Sequence, residues 1–84
     1  MAKDITIYTS NTCASCRTIK QWLTTKGYTY SVINIDEVPE ERQNIISLTG
    51  RMEVPVTVVS DQEQDKKAVT VGWKPGEIMA ALAA

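Results

Sequence analysis

Apolar and polar positions alternate from Asp4 to Thr9, with Ile5 and Ile7 on one side and Thr6 and Tyr8 on the other. A period of two carried by β-branched and aromatic residues predicts a strand. From Ala14 the period changes. Cys16, Ile19 and Trp22 or Leu23 recur at helical spacing, and the stem of Lys26 extends the stripe. This predicts a helix over residues 14–26. Ser10, Asn11 and Thr12 offer capping side chains ahead of it. Gly27 suits the position just past the helix end, where Lys26 complements the negative end of the dipole.

Residues 28–36, rich in Tyr, Thr, Val and Ile, predict a second strand. Asp36-Glu37-Val38-Pro39 then opens a second helix. Pro39 stands in the first turn, where its missing N–H costs nothing, and Glu40 and Glu41 favour the positive end. Ile45, Ile46 and Leu48 form its expected inner face, and Gly50 ends it. Residues 54–59 are the most strand-like run of the chain. Pro55 belongs at the first residues of that strand, since it has no N–H for a ladder. The polar run 60–67 predicts a hairpin loop, and 68–71 a short antiparallel strand. Gly72-Trp73-Lys74 turns the chain into a last helix begun by Pro75 and Glu77, with Ile78, Met79 and Leu82 inward. The order is β-α-β-α-β-β-α. Its β-α-β opening implies a parallel pair with a right-handed crossover. The expected architecture is α/β, a four-stranded mixed sheet with helices on both faces.

Composition narrows the function. A chain of 84 residues makes one domain, 1–84, and a 43% apolar share argues against disorder. The net charge is −1 with the signs interspersed, so no basic patch invites nucleic acid. No apolar run approaches the roughly 20 residues that span a membrane. Met1-Ala2-Lys3-Asp4 runs into a strand without a signal-peptide apolar region, so a cytoplasmic protein is expected. The two cysteines, Cys13 and Cys16, are too close to staple a fold, because a disulfide between them closes a very small loop. In a cytosolic protein such a pair reads as catalytic or metal-binding.

Cys13 falls at the start of the first helix, where unpaired N–H groups and the dipole favour a thiolate, and Arg17 adds a cation one turn on. Cys16 occupies an apolar position one turn later and should be more buried. These positions assign roles. Cys13 attacks a substrate disulfide, and Cys16 attacks the resulting mixed disulfide and releases the reduced substrate. The chain has no histidine, so activation falls to the helix and Arg17. The plainer readings are two incidental buried cysteines, or a zinc site, which would want four Cys or His ligands. A metal or cluster shared between two chains through Cys13 is a second functional reading. Gly72-Trp73 reads either as an exposed grip beside the thiols or as a core aromatic next to a turn glycine. Arg17 reads equally as a solvated helix charge, and Trp22 as packing.

The run Ile7-Tyr8-Thr9-x-x-Thr12-Cys13-x-x-Cys16, followed in spacing by Val54-Pro55 and Gly72, resembles the glutaredoxin family over nearly the whole chain. The resemblance implies the thioredoxin fold, Cys13 as nucleophile supported by Thr12, Cys16 as resolving thiol, and no bound cofactor. It also implies a cis Pro55 facing the thiols, with the Val54 backbone free to bind an extended substrate as an added strand. An ordinary trans proline is the plainer alternative. Departures from the family pattern point to a branch. Ser10-Asn11 stands for the usual Lys-Pro, Glu53 for the Thr of Thr-Val-Pro, and no Asp follows Gly72, so glutathione should bind weakly. Gly72-Trp73-Lys74-Pro75 instead resembles the Gly-Phe-Arg-Pro segment of NrdH redoxins, although Thr70-Val71 replaces their usual Trp-Ser. That branch implies a monomer reduced by a thioredoxin reductase and reducing protein disulfides, ribonucleotide reductase among them. A glutathione-dependent glutaredoxin, or a homodimer holding an iron–sulfur cluster through Cys13, are the alternatives.

Overall fold

A computed structural model describes residues 3–61 and 66–83. Strand β1 (Lys3–Thr9) leads into helix α1 (Ala14–Thr25) and strand β2 (Ser31–Asn34). A single 3-10 turn, Pro39–Glu41, precedes helix α2 (Arg42–Thr49). The hairpin of β3 (Val56–Asp61) and β4 (Lys66–Val71) is followed by helix α3 (Pro75–Ala83). The strands form one mixed sheet in the order β2-β1-β3-β4. β1 runs parallel to β2 and antiparallel to β3, which runs antiparallel to β4.

The alternation in β1 divides the core in two. Ile5 and Ile7 pack on one face with Ile19 and Leu23 of α1 and Val59, flanked by Ala81 and Leu82 of α3. Tyr8 points to the opposite face, where Ile35, Ile45 of α2, Val56 and Val58 surround it. Thus α1 and α3 cover one face and α2 the other. The end of α1 is a Schellman motif: Gly27, at φ 84°, donates to the Thr24 carbonyl and Tyr28 to that of Leu23. Lys3 Nζ reaches the Ala81 and Leu82 carbonyls, at 3.3 and 2.7 Å, and caps the end of α3 from the first strand.

Several expected boundaries shift. The second strand is confined to Ser31–Asn34, because the Schellman turn occupies the chain at Tyr28. The second helix begins later than Asp36. Glu37 and Val38 both donate to the Asn34 carbonyl in a tight turn, and Pro39 starts the 3-10 turn instead. Ile46 is exposed, not inward, while Ile45 is fully buried and Leu48 half-buried. Successive residues of a helix are turned about 100° apart, so with Ile45 against the sheet Ile46 faces away, while Leu48 returns towards the core. In the hairpin, Ser60, Asp61, Lys66 and Lys67 belong to the ladder, so the expected loop 60–67 narrows, and its tip, 62–65, lies outside the described residues. In α3 Ile78 is fully buried, and Met79 and Leu82 are half-buried.

Candidate active site

Three segments meet at one end of the sheet. The thiol loop leaves the C-terminal end of β1. Tyr8 pairs with Val56, so Pro55 falls beside Thr9, and Val56 pairs with Val71, so Gly72 falls beside Pro55. The Gly72 N–H donates to the Pro55 carbonyl at 2.9 Å and ties the second and third segments together.

Cys13 and Cys16 form a disulfide. The caps expected from residues 10–12 are superseded by Cys13 itself, which is the N-cap of α1. Its Sγ accepts from the Cys16 N–H at 3.2 Å, where a Ser or Asp oxygen would ordinarily sit. The sulfur therefore lies at the positive end of a 12-residue helix with an N–H already aimed at it, an arrangement that stabilises a thiolate more than a thiol. The two sulfurs differ sharply in access. Cys13 is half-buried, whereas Cys16 is 1% exposed, with its Sγ 4.0 Å from the Tyr8 carbonyl oxygen. An incoming disulfide can reach Cys13 alone.

The loop carrying Cys13 is held by a polar network. The Asn11 N–H donates to Asp36 Oδ2 at 2.8 Å, and Asn34 Nδ2 donates to Asn11 Oδ1 at 2.8 Å. Asp36 is held in turn by Arg42, 3.2 Å away. Cys13 N–H donates to the Ser10 carbonyl at 3.4 Å and closes the turn. The sequence offered Ser10 and Asn11 as caps and Asp36 as a helix start, and did not join them. The one local cue was the clustering of Asn and Asp at two loop positions, a pattern shared with any turn.

The other expected site residues fall as follows. Thr12 is exposed in the turn before Cys13, and Arg17 is exposed on α1. Arg17 lines the same polar depression as Cys13, about 440 Å³ in volume, together with Lys20. The Val54–Pro55 peptide bond is cis, Pro55 is buried, and Val54 is half-buried. Val54 lies outside the β3 ladder, and its backbone makes none of the loop hydrogen bonds found among the described residues. Glu53 is partnered by Arg51 at 3.2 Å, so part of its charge is offset. Gly72 has φ 85°, a left-handed conformation that strains any side-chain-bearing residue. Trp73 is not a core aromatic. It is 38% exposed, and its ring packs edge-to-face on Trp22 with centroids 5.5 Å apart. Trp22 in turn packs against the core of the α1 face.

Comparison with known proteins points one way. The glutaredoxin family model matches residues 5–63. The glutaredoxin-like protein NrdH of Lactococcus lactis subsp. cremoris is 35% identical over 74 residues, covering 88% of this chain and 93% of that one. The structure of the glutaredoxin-like protein NrdH-redoxin from Escherichia coli, described as having a thioredoxin-like activity profile, superposes with a TM-score of 0.76 at 30% identity and covers 92% of each chain. A glutaredoxin from Archaeoglobus fulgidus shares the fold, with a TM-score of 0.78 at 23% identity over 96% of this chain and 87% of its own.

Proposed function

The chain belongs to the glutaredoxin family and is a thiol–disulfide oxidoreductase resembling the NrdH redoxins, and from that premise we propose that it passes electrons from a thioredoxin reductase to protein disulfides. The observation that carries the chemistry is the cap on Cys13, an accessible sulfur hydrogen-bonded at a helix N-terminus and disulfide-linked to a buried one.

In the reduced protein the Cys13 thiolate attacks one sulfur of the substrate disulfide. A Cys13–substrate bond forms, and the other substrate sulfur leaves as thiolate. Cys16 then loses its proton and attacks Cys13 Sγ. The intramolecular disulfide forms, and the second substrate thiolate departs, so two electrons have passed to the substrate. Burial keeps Cys16 from the first step and proximity favours it in the second. Val54, free of the ladder beside a cis proline, offers its backbone to an extended segment flanking the substrate disulfide. Gly72 and Trp73 form the far wall of that groove.

The choice of reductant rests on what stands at the positions that would hold glutathione. Ser10 supplies no cation, Glu53 brings a carboxylate, and Trp73-Lys74-Pro75 follows Gly72 where an aspartate would receive the tripeptide amine. The Arg51 pair weakens the Glu53 contribution without removing it, since an exposed ion pair is worth only about 0–1 kcal/mol. A cytoplasmic setting and the reduction of ribonucleotide reductase belong to the same proposal.

The test compares two reductants on the oxidised protein with an insulin-type disulfide as acceptor. NADPH with thioredoxin reductase is expected to sustain turnover at least about tenfold faster than NADPH, glutathione reductase and glutathione, a difference of about 1.4 kcal/mol in barrier. Cys13→Ser abolishes turnover, and Cys16→Ser accumulates a mixed disulfide visible by mass spectrometry. Equal rates with the two reductants would remove the reductase assignment, and no rate with either would remove the electron-carrier role.

A further inference from the structure

Among the described residues, five cations are neutralised or otherwise engaged. Arg42 pairs with Asp36, Arg51 with Glu53 and Lys74 with Glu77. Lys3 caps α3, and Lys26 lies over the Trp22 ring, 5.7 Å from its centroid. Arg17 and Lys20 differ. Among the described residues neither has a hydrogen bond or an ion pair, and both line the polar depression of about 440 Å³ that contains Cys13. They also line a second hollow of about 570 Å³ beside α1, so the two cations border both depressions, one of which contains the reactive sulfur.

Their spacing places them usefully. Three residues apart on a helix, they occupy one face. From Cys13 at the cap, Arg17 lies about 6 Å along the helix axis and Lys20 about 10 Å, at 1.5 Å per residue. The rest of the wall carries little opposing charge. Asn11 and Asn34 are bonded to one another, and the Asp36 carboxylate is taken by Arg42 and the Asn11 N–H. Glu37 is the one carboxylate lining the depression.

We propose that Arg17 and Lys20 form a carboxylate-recognition subsite beside Cys13, so that the protein reduces most readily those disulfides that carry an anionic group within a few bonds of the sulfur. The subsite rests on the oxidoreductase reading above and deepens it by naming a substrate class. The electron flow is unchanged: Cys13 attacks, Cys16 resolves, and the bound carboxylate stays intact throughout. Its contribution is to hold the substrate sulfur at the cap and to offset the repulsion between a thiolate and an anionic substrate.

The test uses protein reduced with dithiothreitol and desalted, in single-turnover reactions with three small disulfides: neutral bis(2-hydroxyethyl) disulfide, anionic 3,3′-dithiodipropionate and cationic cystamine. Each rate is divided by the rate of the same disulfide with 2-mercaptoethanol, which removes intrinsic reactivity. An exposed ion pair is worth less than about a factor of five, so two should favour the anionic over the neutral disulfide by about fivefold, with cystamine slowest. The ratio should collapse towards one in Arg17→Gln/Lys20→Gln and at about 1 M salt, where screening acts within about 3 Å. It should rise in Glu37→Gln. Because the readout is a ratio, any change in thiolate content cancels. Peptide disulfides with Glu or Gln beside the cysteine separate the two sources of the carboxylate. Preference for the Glu peptide assigns the subsite to acidic protein segments, and preference confined to the small disulfides assigns it to low-mass substrates. A ratio of one in the unmodified protein for both series, or a ratio untouched by the double substitution, overturns the subsite. A reduced protein that consumes none of the disulfides overturns the oxidoreductase reading instead, and the subsite with it.

Discussion

Trp22 and Trp73 should be energetically coupled, and the coupling can be worked from their geometry. Their rings meet edge-to-face at an interplanar angle of 83° with centroids 5.5 Å apart. Such pairs contribute about 0.5–1.5 kcal/mol beyond the area they bury. Trp22→Ala alone loses more than this. It also removes packing against the α1 face of the core and the ring beneath Lys26, the latter worth about 0.5–1 kcal/mol at an exposed site. These losses are the same whether or not residue 73 is a tryptophan, so they cancel in a double-mutant cycle. The cycle of wild type, Trp22→Ala, Trp73→Ala and the double variant, each measured by urea unfolding followed by far-UV circular dichroism, should give an interaction energy of about 1 kcal/mol. For a domain of this size 1 kcal/mol moves the thermal midpoint by about 4–8 °C, well within resolution. Trp73 follows Gly72, whose N–H holds the Pro55 carbonyl, so the pair ties to α1 the segment proposed above as the far wall of the substrate groove. The single variants should therefore weaken the protein-disulfide KM more than kcat. An interaction energy below about 0.3 kcal/mol, the scatter expected for independent sites, would refute the anchoring argument.

Two further substitutions probe the two core faces. Leu23→Ala removes a side chain with no exposed area under α1 and should cost about 2–5 kcal/mol in urea unfolding. A loss under 1 kcal/mol would mean that the helix can collapse onto the sheet. Tyr8 is buried on the opposite face, and burial, with the Glu41 carboxylate adding to it, holds its phenol above the ordinary value of 10.0. The neutral ring therefore stabilises the folded state fully below that value, and the stabilisation is lost as pH climbs through the raised one. Unfolding free energy should fall above about pH 10 in the wild type and fall less in Tyr8→Phe; parallel curves would show that the phenol does not contribute.

How much could be read from the residues differs from element to element. The alternation of Ile5 and Ile7 against Tyr8 assigned both faces of the central strand correctly, because a strand has a period of two and each face is buried under a helix. Gly27 and Gly50 marked two helix ends correctly, both at left-handed φ, since that conformation is a local requirement. Ile46 misled. Its apolar character fits an inner face, but it directly follows Ile45, and a turn of about 100° per residue carries it to the solvent side once Ile45 faces the sheet. The cap was misread for a similar reason. Ser10, Asn11 and Thr12 all carry capping side chains, and only the path of the loop, fixed by the bonds of Asn11 to Asp36 and Asn34, decides that Cys13 occupies the N-cap.

The sequence by itself determined the order of strands and helices, the division of the core, and the placement of two thiols at a helix start with the second more buried. All of these depend on periodicities and end signals within about one turn of chain, and such short-range preferences are written into neighbouring residues. The tertiary structure alone decided the rest. It joined Gly72 to Pro55 and Trp73 to Trp22, and among the described residues it left Arg17 and Lys20 unpaired in one depression with Cys13. Each of these joins residues distant in the chain or depends on which partners other charges find. They are consequences of sheet order and packing, and no window of local sequence contains them.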